Sequence, residues 1–207
     1  MSSLKLNSQS LEFGVRYMPT ISSFEISTPG EGRVIGEFTA GYGIGGFIGI
    51  NLSSHFGFQG EVIYSSIAQK YKEQDVERRI DLKYINIPLM LSLNTGKSNA
   101  VNFNIVAGPQ IGISVGSDVF TSNGDGTTTT EPVVSVKKGD LGFAYGAGLD
   151  FGLNAGKSIR MGLGFRGVYG LVDISDNSGT VVTNSYYVLD RSHIKTYSAY
   201  IGLSIMF

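Results

Sequence analysis

The sequence predicts an all-β fold, an eight-stranded antiparallel up-and-down barrel that crosses a membrane with strands. Three observations point to it. Segments of about ten or more residues alternate apolar with small or polar positions, the length and period of a tilted membrane-spanning strand. Glycine makes up 29 of 207 residues, about twice its usual share of roughly 7%, without a collagen period. The connections between segments alternate long and short. A chain that is 42% hydrophobic and 16% charged has ample apolar surface for a core, yet no run approaches the ~18 consecutive apolar residues of a membrane helix. The balance of 16 Lys+Arg against 17 Asp+Glu gives no electrostatic case for nucleic acid. With no cysteine, a disulfide framework, a thiolate zinc site and a cysteine nucleophile are excluded.

Residues 1–10 (MSSLKLNSQS) are polar and lack the apolar centre of a secretory signal, so they are assigned to a periplasmic N-terminal segment, with any export signal already removed. Residues 11–207 form the barrel. Its first strand is Leu11 to Ile21, contributing Glu12 and Arg16 to the inner face. Tyr42 to Leu52 and His55 to Ser66 follow, separated only by Ser53 and Ser54, and the third strand carries Glu61 inward. The fourth, Ile80 to Leu93, is expected to turn Asp81 and Lys83 inward. The fifth, Asn102 to Gly116, sets Phe103, Ile105, Ala107, Pro109, Ile111, Ile113 and Val115 against Asn102, Asn104, Gly108, Gln110 and Gly112. The sixth, Leu141 to Leu153, opposes Leu141, Phe143, Tyr145, Leu149 and Phe151 to glycines and Asp150. The seventh, Ser158 to Leu171, supplies Arg160 and Arg166, and Ile194 to Phe207 closes the set. Helical patterning is scarce: Ala68 to Arg79 (AQKYKEQDVERR) is the one charged run suited to a turn or two of helix.

Alternation alone does not choose between water and lipid as surroundings, because any half-buried sheet has an apolar face. The opposite face decides. A soluble barrel would show water a face rich in Lys, Glu and Thr; here that face is mostly glycine with isolated charges, which suits the crowded interior of a narrow closed barrel. The inward charges Glu12, Arg16, Glu61, Asp81, Lys83, Asp150, Arg160 and Arg166 are equal in acids and bases and are expected to pair as a neutral lumen network, since buried charges must be paired. The tight turns are Ser53–Ser54, Asn94 to Ala100 and Asn154 to Lys157; the long connections are Ser22 to Gly41, Ile67 to Arg79, Ser117 to Asp140 and Val172 to His193. Such alternation predicts tight turns and both termini in the periplasm and long loops outside. Phe13, Phe56, Phe58, Phe103, Phe151 and Phe207 fall near one end, Tyr17, Tyr42, Tyr64, Tyr84, Tyr169 and Tyr197 near the other, as two interfacial girdles would.

The chain ends on Phe207, with Tyr197, Ile201, Leu203 and Ile205 on the same alternating face. This resembles the C-terminal signal that the outer-membrane barrel assembly machinery reads. YINIPLMLSL (Tyr84 to Leu93), VAGPQIGISVG (Val106 to Gly116) and DLGFAYGAGLDFG (Asp140 to Gly152), in this order, resemble the PorT-type outer-membrane β-barrel family of the Bacteroidota, small proteins often labelled a porin family. The resemblance covers the barrel and not the loops. It implies a location in the bacterial outer membrane and, from the namesake, a link to the type IX secretion machinery or another envelope complex.

Two motifs mislead. Gly41-x-Gly43-x-x-Gly46 and Gly162-x-Gly164-x-x-Gly167 match the dinucleotide fingerprint, which works only at a strand-to-helix turn; both lie within or at the lip of strands. Asp173 to Gly179 has the oxygen density of a calcium loop, but Asn184 stands where the closing acid belongs. Of the two histidines, His55 sits at a tight turn, whereas His193 lies in the last long connection near Asp190 and Ser192. That is the one grouping of a type and height that a lipid A or omptin-like membrane enzyme would use. The expected protein is non-enzymatic, without cofactor or metal. Its lumen is filled by side chains, since eight strands leave room for little more than those. Its partners would be outer-membrane lipid, the assembly machinery, and a protein or glycan at the outer loops. A soluble lipocalin-like barrel is the competing fold, and it predicts solubility without detergent.

Overall fold

Period-two patterning over such long segments leaves the backbone no partner except a neighbouring strand, and the chain pairs accordingly. In the computed structural model, the described residues are 10–27, 33–35, 39–73, 76–122, 128–131, 139–171 and 192–207. They form ten strands: β1 (Ser10–Ser27), β2 (Arg33–Ile35), β3 (Thr39–Asn51), β4 (Phe56–Glu73), β5 (Val76–Asn94), β6 (Val101–Ser122), β7 (Thr128–Glu131), β8 (Gly139–Gly152), β9 (Ile159–Gly170) and β10 (Ser192–Met206). Eight of them run β1-β3-β4-β5-β6-β8-β9-β10 as antiparallel neighbours, and β10 pairs back with β1 to close the barrel. The short β2 and β7 extend the ladders of β1 and β6.

The seam is paired over almost its whole length, from Glu12 opposite Met206 to Ile26 opposite Ser192. At its lower end the Phe207 N–H donates to the Leu11 carbonyl at 2.8 Å and the Leu11 N–H to the Phe207 carbonyl at 3.2 Å. Closure removes the two edges that an open sheet would expose, a necessity where no water can satisfy them.

All eight predicted spanning strands are present, most of them longer than expected at the end bearing the long connections. The described residues of the charged run from Ala68 to Arg79 are strand rather than helix: β4 continues to Glu73, β5 begins at Val76, and the two stay in register up to Glu73 opposite Val76. A run without an apolar stripe gains little from a helix, whereas a ladder already formed below it adds hydrogen bonds with each further residue. On its other side β5 pairs with β6 up to Glu77 opposite Ser122. The Thr128 to Thr130 part of the threonine run forms β7 against β6; Val133 to Val136 and the segment from Val172 to Asp190 lie outside the described residues, as do residues 1–9.

The two faces of the wall are inverted relative to a water-soluble protein. Outward positions are apolar and exposed, with Val15 at 62% and Leu89 at 56%, while Glu12 and Arg160 inside are at 2% and 0%. At the tight-turn end Phe13 meets Phe207 edge-on at 6.1 Å and Phe56 meets Phe58 at 5.5 Å. Toward the other end Tyr17, Tyr42, Tyr64, Tyr169 and Tyr197 face outward, with Tyr197 stacked on Phe165.

The alternation of β5 corrects three expectations. Leu82 and Tyr84 are the buried residues, so Tyr84 points into the lumen and does not belong to the girdle, and Asp81 and Lys83 lie on the outward face. Lys83 sits at the tyrosine level, in register with Ser66, which pairs with Tyr42, and Asp81 lies beyond it, in register with Ala68. There an outward charge meets interfacial water instead of hydrocarbon, so nothing forces it inward. The neighbouring β6 carries an irregularity at the same height, where Tyr84 pairs with Ser114 and Lys83 with Gly116, a bulge that shifts facing on that strand.

Candidate functional site in the barrel lumen

Polar side chains that cannot face lipid gather along the barrel axis in two layers. The middle layer centres on Glu61 of β4, buried to 2% exposure. Arg166 of β9 grips it with two hydrogen bonds, Nη1 to Oε2 at 3.1 Å and Nη2 to Oε1 at 3.0 Å. Arg16 of β1, two strands away on the same side of the barrel, donates to Glu61 Oε1, and Gln59 donates to the same oxygen. One carboxylate between two guanidiniums and an amide accepts four hydrogen bonds, three on Oε1 and one on Oε2, the kind of setting in which a buried ion pair is tolerated.

Aromatic rings hold Arg16 in place. Its guanidinium lies 4.1 Å from the ring centre of Phe47 and 4.6 Å from that of Tyr200, a cation–π sandwich in a desolvated setting. Glycine makes room for these rings: a Cβ on Gly14 would stand 2.3 Å from the Phe47 ring, and one on Gly164 2.6 Å from the Tyr200 ring.

A second layer closes the tight-turn end. Lys97, from the turn between β5 and β6, folds back so that its Nζ donates to Glu12 Oε2 at 2.7 Å and Asp150 Oδ2 at 3.3 Å. Ser204 Oγ donates to Glu12 Oε1 at 2.8 Å, and Asn102 and Asn104 each donate to Asp150 Oδ2 at 3.0 Å. Arg160 is fully buried beside this layer, but its hydrogen bonds go to carbonyls: Asn99 and Asp150 at 3.1 Å and Lys157 at 3.4 Å. It thereby ties the turn holding Lys97 to the turn between β8 and β9, where Lys157 adopts a left-handed φ of 56°.

Of the charges assigned to the lumen from the sequence, Glu12, Arg16, Glu61, Asp150, Arg160 and Arg166 are buried there, whereas Asp81 and Lys83 are on the outer rim. Lys97 was missed because turns were read only as turns. A signal existed in the length of Asn94 to Ala100, generous for a hairpin that needs about two to five residues. Asp140 was also missed: it lies at the lip of the lumen, facing a cavity with Tyr84, Asn86, Gln110 and Ser198.

The histidines stay apart from these layers. His55 is exposed at its turn, with Nδ1 2.9 Å from Ser54 Oγ. His193 falls on β10 in register with Glu25 of β1, while Asp190 lies outside the described residues. Among the described residues no three His, Asp or Glu side chains are grouped to hold a metal ion. Both layers carry buried, ion-paired side chains toward the barrel axis.

Comparison with solved structures finds several similar chains. The chain is 13% identical to Neisserial surface protein A, over 94% of this chain and 97% of that one, with a TM-score of 0.49. It is 12% identical to Ail, the attachment invasion locus protein of Yersinia pestis, solved with the heparin analogue sucrose octasulfate, over 96% and 99% with a TM-score of 0.43. For the N-terminal β-barrel domain of Pseudomonas aeruginosa OprF the figures are 13%, 94%, 97% and 0.41. No curated protein matches the chain. A family model described as outer membrane protein beta-barrel domain matches residues 7–176. That span takes in most of the strands and every charged member of both lumen layers, and the chain belongs to this family of outer-membrane β-barrel proteins.

Proposed function

We propose that the protein is a non-enzymatic, non-conducting member of the PorT-type, porin-labelled barrels of the Bacteroidota, serving envelope structure or ligand binding through its long connections. The observation that carries this reading is the pair of side-chain layers across the lumen, Arg16–Glu61–Arg166 and Glu12–Lys97–Asp150. A solute passing along the axis would have to break both, leaving buried charges unpaired. The tight turns and termini face the periplasm and the long connections face outward, in keeping with outer-membrane meanders. Phe207 and the alternating residues before it serve as the signal for the assembly machinery, and a protein or glycan is the ligand class for the outer loops. Purified protein in planar bilayers is expected to show no stable conductance; reproducible solute-permeable channels would overturn the reading. Co-purification from native membranes distinguishes a free-standing barrel from a subunit of a type IX secretion or other envelope complex.

One observation favours an enzymatic alternative: His193 has an acid, Glu25, as its register partner across the seam at the long-connection end. A His–acid pair at that height is the minimum a lipid or peptide hydrolase would need. Activity on such substrates that disappears in His193→Ala would establish it; absence of activity in the unaltered protein leaves the structural reading standing.

A further inference from the structure

Every proline among the described residues, Pro19, Pro88 and Pro109, stands within a strand of the barrel wall. Each coincides with a lapse in the ladder. On the seam, Tyr17 pairs with Ile201 and pairing resumes at Thr20 with Ser198, skipping Pro19. Between β4 and β5 it passes from Gly60 with Leu89 to Ile63 with Asn86, skipping Pro88. Between β5 and β6 it passes from Pro88 with Gln110 to Leu91 with Ala107, skipping Pro109. The remaining interfaces of the barrel, β1 with β3, β3 with β4, β6 with β8, β8 with β9 and β9 with β10, pair without interruption. Proline has no N–H to give a neighbouring strand, so the carbonyl opposite loses its donor. In hydrocarbon no water takes that donor's place.

Two of the lapses fall on one strand, on opposite flanks. Ile87 and Pro88 have no ladder partner on β4, where Val62 and Glu61 stand opposite, and Leu89 and Met90 have none on β6, where Pro109 and Gly108 do. Four consecutive residues of β5 are therefore each held from one side only. The seam lapse is shorter: it spans Met18 and Pro19, which stay paired with β3. Side-chain packing stands in for the missing bonds on β5. Met90 forms a buried apolar cluster with Val106 and Ala144, and Pro88 is fully buried. The two backbones also come so close that a Cβ on Gly108 would collide with the Leu89 carbonyl oxygen.

We propose that the β5 stretch from Ile87 to Met90 is a yielding element built into the wall, where β5 parts locally from β4 and β6 while the uninterrupted ladders stay zipped. Glu61, the acid of the middle ionic layer, stands opposite Pro88 across the β4 lapse, so opening there bears directly on that layer. Local opening is governed by the hydrogen bonds and packing that must break, and one ladder bond of typical worth is about tenfold in the opening equilibrium. Amide hydrogen exchange of the unaltered barrel in detergent micelles, followed residue by residue by NMR, tests this. Protection factors at Ile87, Leu89 and Met90 are expected to be at least about tenfold lower than those from Ala144 to Gly148 of β8, whose ladders are unbroken on both sides. Equal protection in the two stretches would overturn the proposal. Pro88→Ala and Pro109→Ala each return an N–H donor to the wall and are expected to raise protection from 87 to 90; a folded variant pair in which it does not rise is the contrary result. Where a variant does not fold, the comparison within the unaltered chain decides alone.

Discussion

The two ionic layers of the lumen do the same job with different materials. In the middle layer every charged group stands on a strand, and the acid is outnumbered: Glu61 holds two arginines apart. In the layer at the tight-turn end the cation is outnumbered, Lys97 lying between Glu12 and Asp150, and it comes from a turn. The acids there also keep neutral donors, Ser204 for Glu12 and two asparagines for Asp150. A layer built from strand residues is rigid but depends on a single anion; one supplemented by neutral donors tolerates loss of its ion.

That difference predicts unequal costs. Glu61→Ala leaves two buried guanidiniums facing each other, and a loss of about 3–5 kcal/mol is expected, the scale for stranding a buried charge, read as a lower urea midpoint for the barrel in detergent micelles. Lys97→Met should cost less, about 1–3 kcal/mol, because Glu12 and Asp150 retain hydroxyl and amide donors. Equal losses from the two substitutions would show that the layers are one cooperative unit rather than two. The smallest effect is of opposite sign. Lys157 holds a φ of 56° that glycine adopts freely, so Lys157→Gly is expected to raise stability by about 0.5–1 kcal/mol, read as a higher urea midpoint. A loss there would mean that Lys157 contributes contacts to the turn that outweigh its strain.

How far the chain could be read in advance follows the same division. Strand-borne features were legible because period two assigns every residue a face, and Glu12, Arg16, Glu61, Asp150, Arg160 and Arg166 all lie where that period puts them. Lys97 was harder to read, because a turn residue has no face and only the length of its turn hinted at a role; its target became visible only once β1 and β8 were brought together. Asp81, Lys83 and Tyr84 were misread for another reason. Leu89, Leu91 and Leu93 mark the outward face of β5, and counting back by twos from them reaches Lys83 and Asp81. The reasoning that charge must turn inward holds only within the apolar band, and these residues lie above it. Arg160 had the right face and an unexpected role, since carbonyl oxygens of two turns, rather than carboxylates, receive its protons.

The lumen contacts also join residues far apart along the chain. Glu12 and Ser204 are 192 residues apart, Thr20 and Ser198 178, Glu61 and Arg166 105, and Glu12 and Lys97 85. Contacts of such separation form late, because the loop they close must be ordered first. A sheet still lacking its last strands would therefore carry Glu61 with Arg16 but without Arg166, and Glu12 without Ser204, and such charges would keep that face wet and resist collapse against lipid. Arrival of β9 and β10 brings Arg166 to Glu61 and Ser204 to Glu12, so that the last strands turn the interior from an open, charged groove into a closed and paired one.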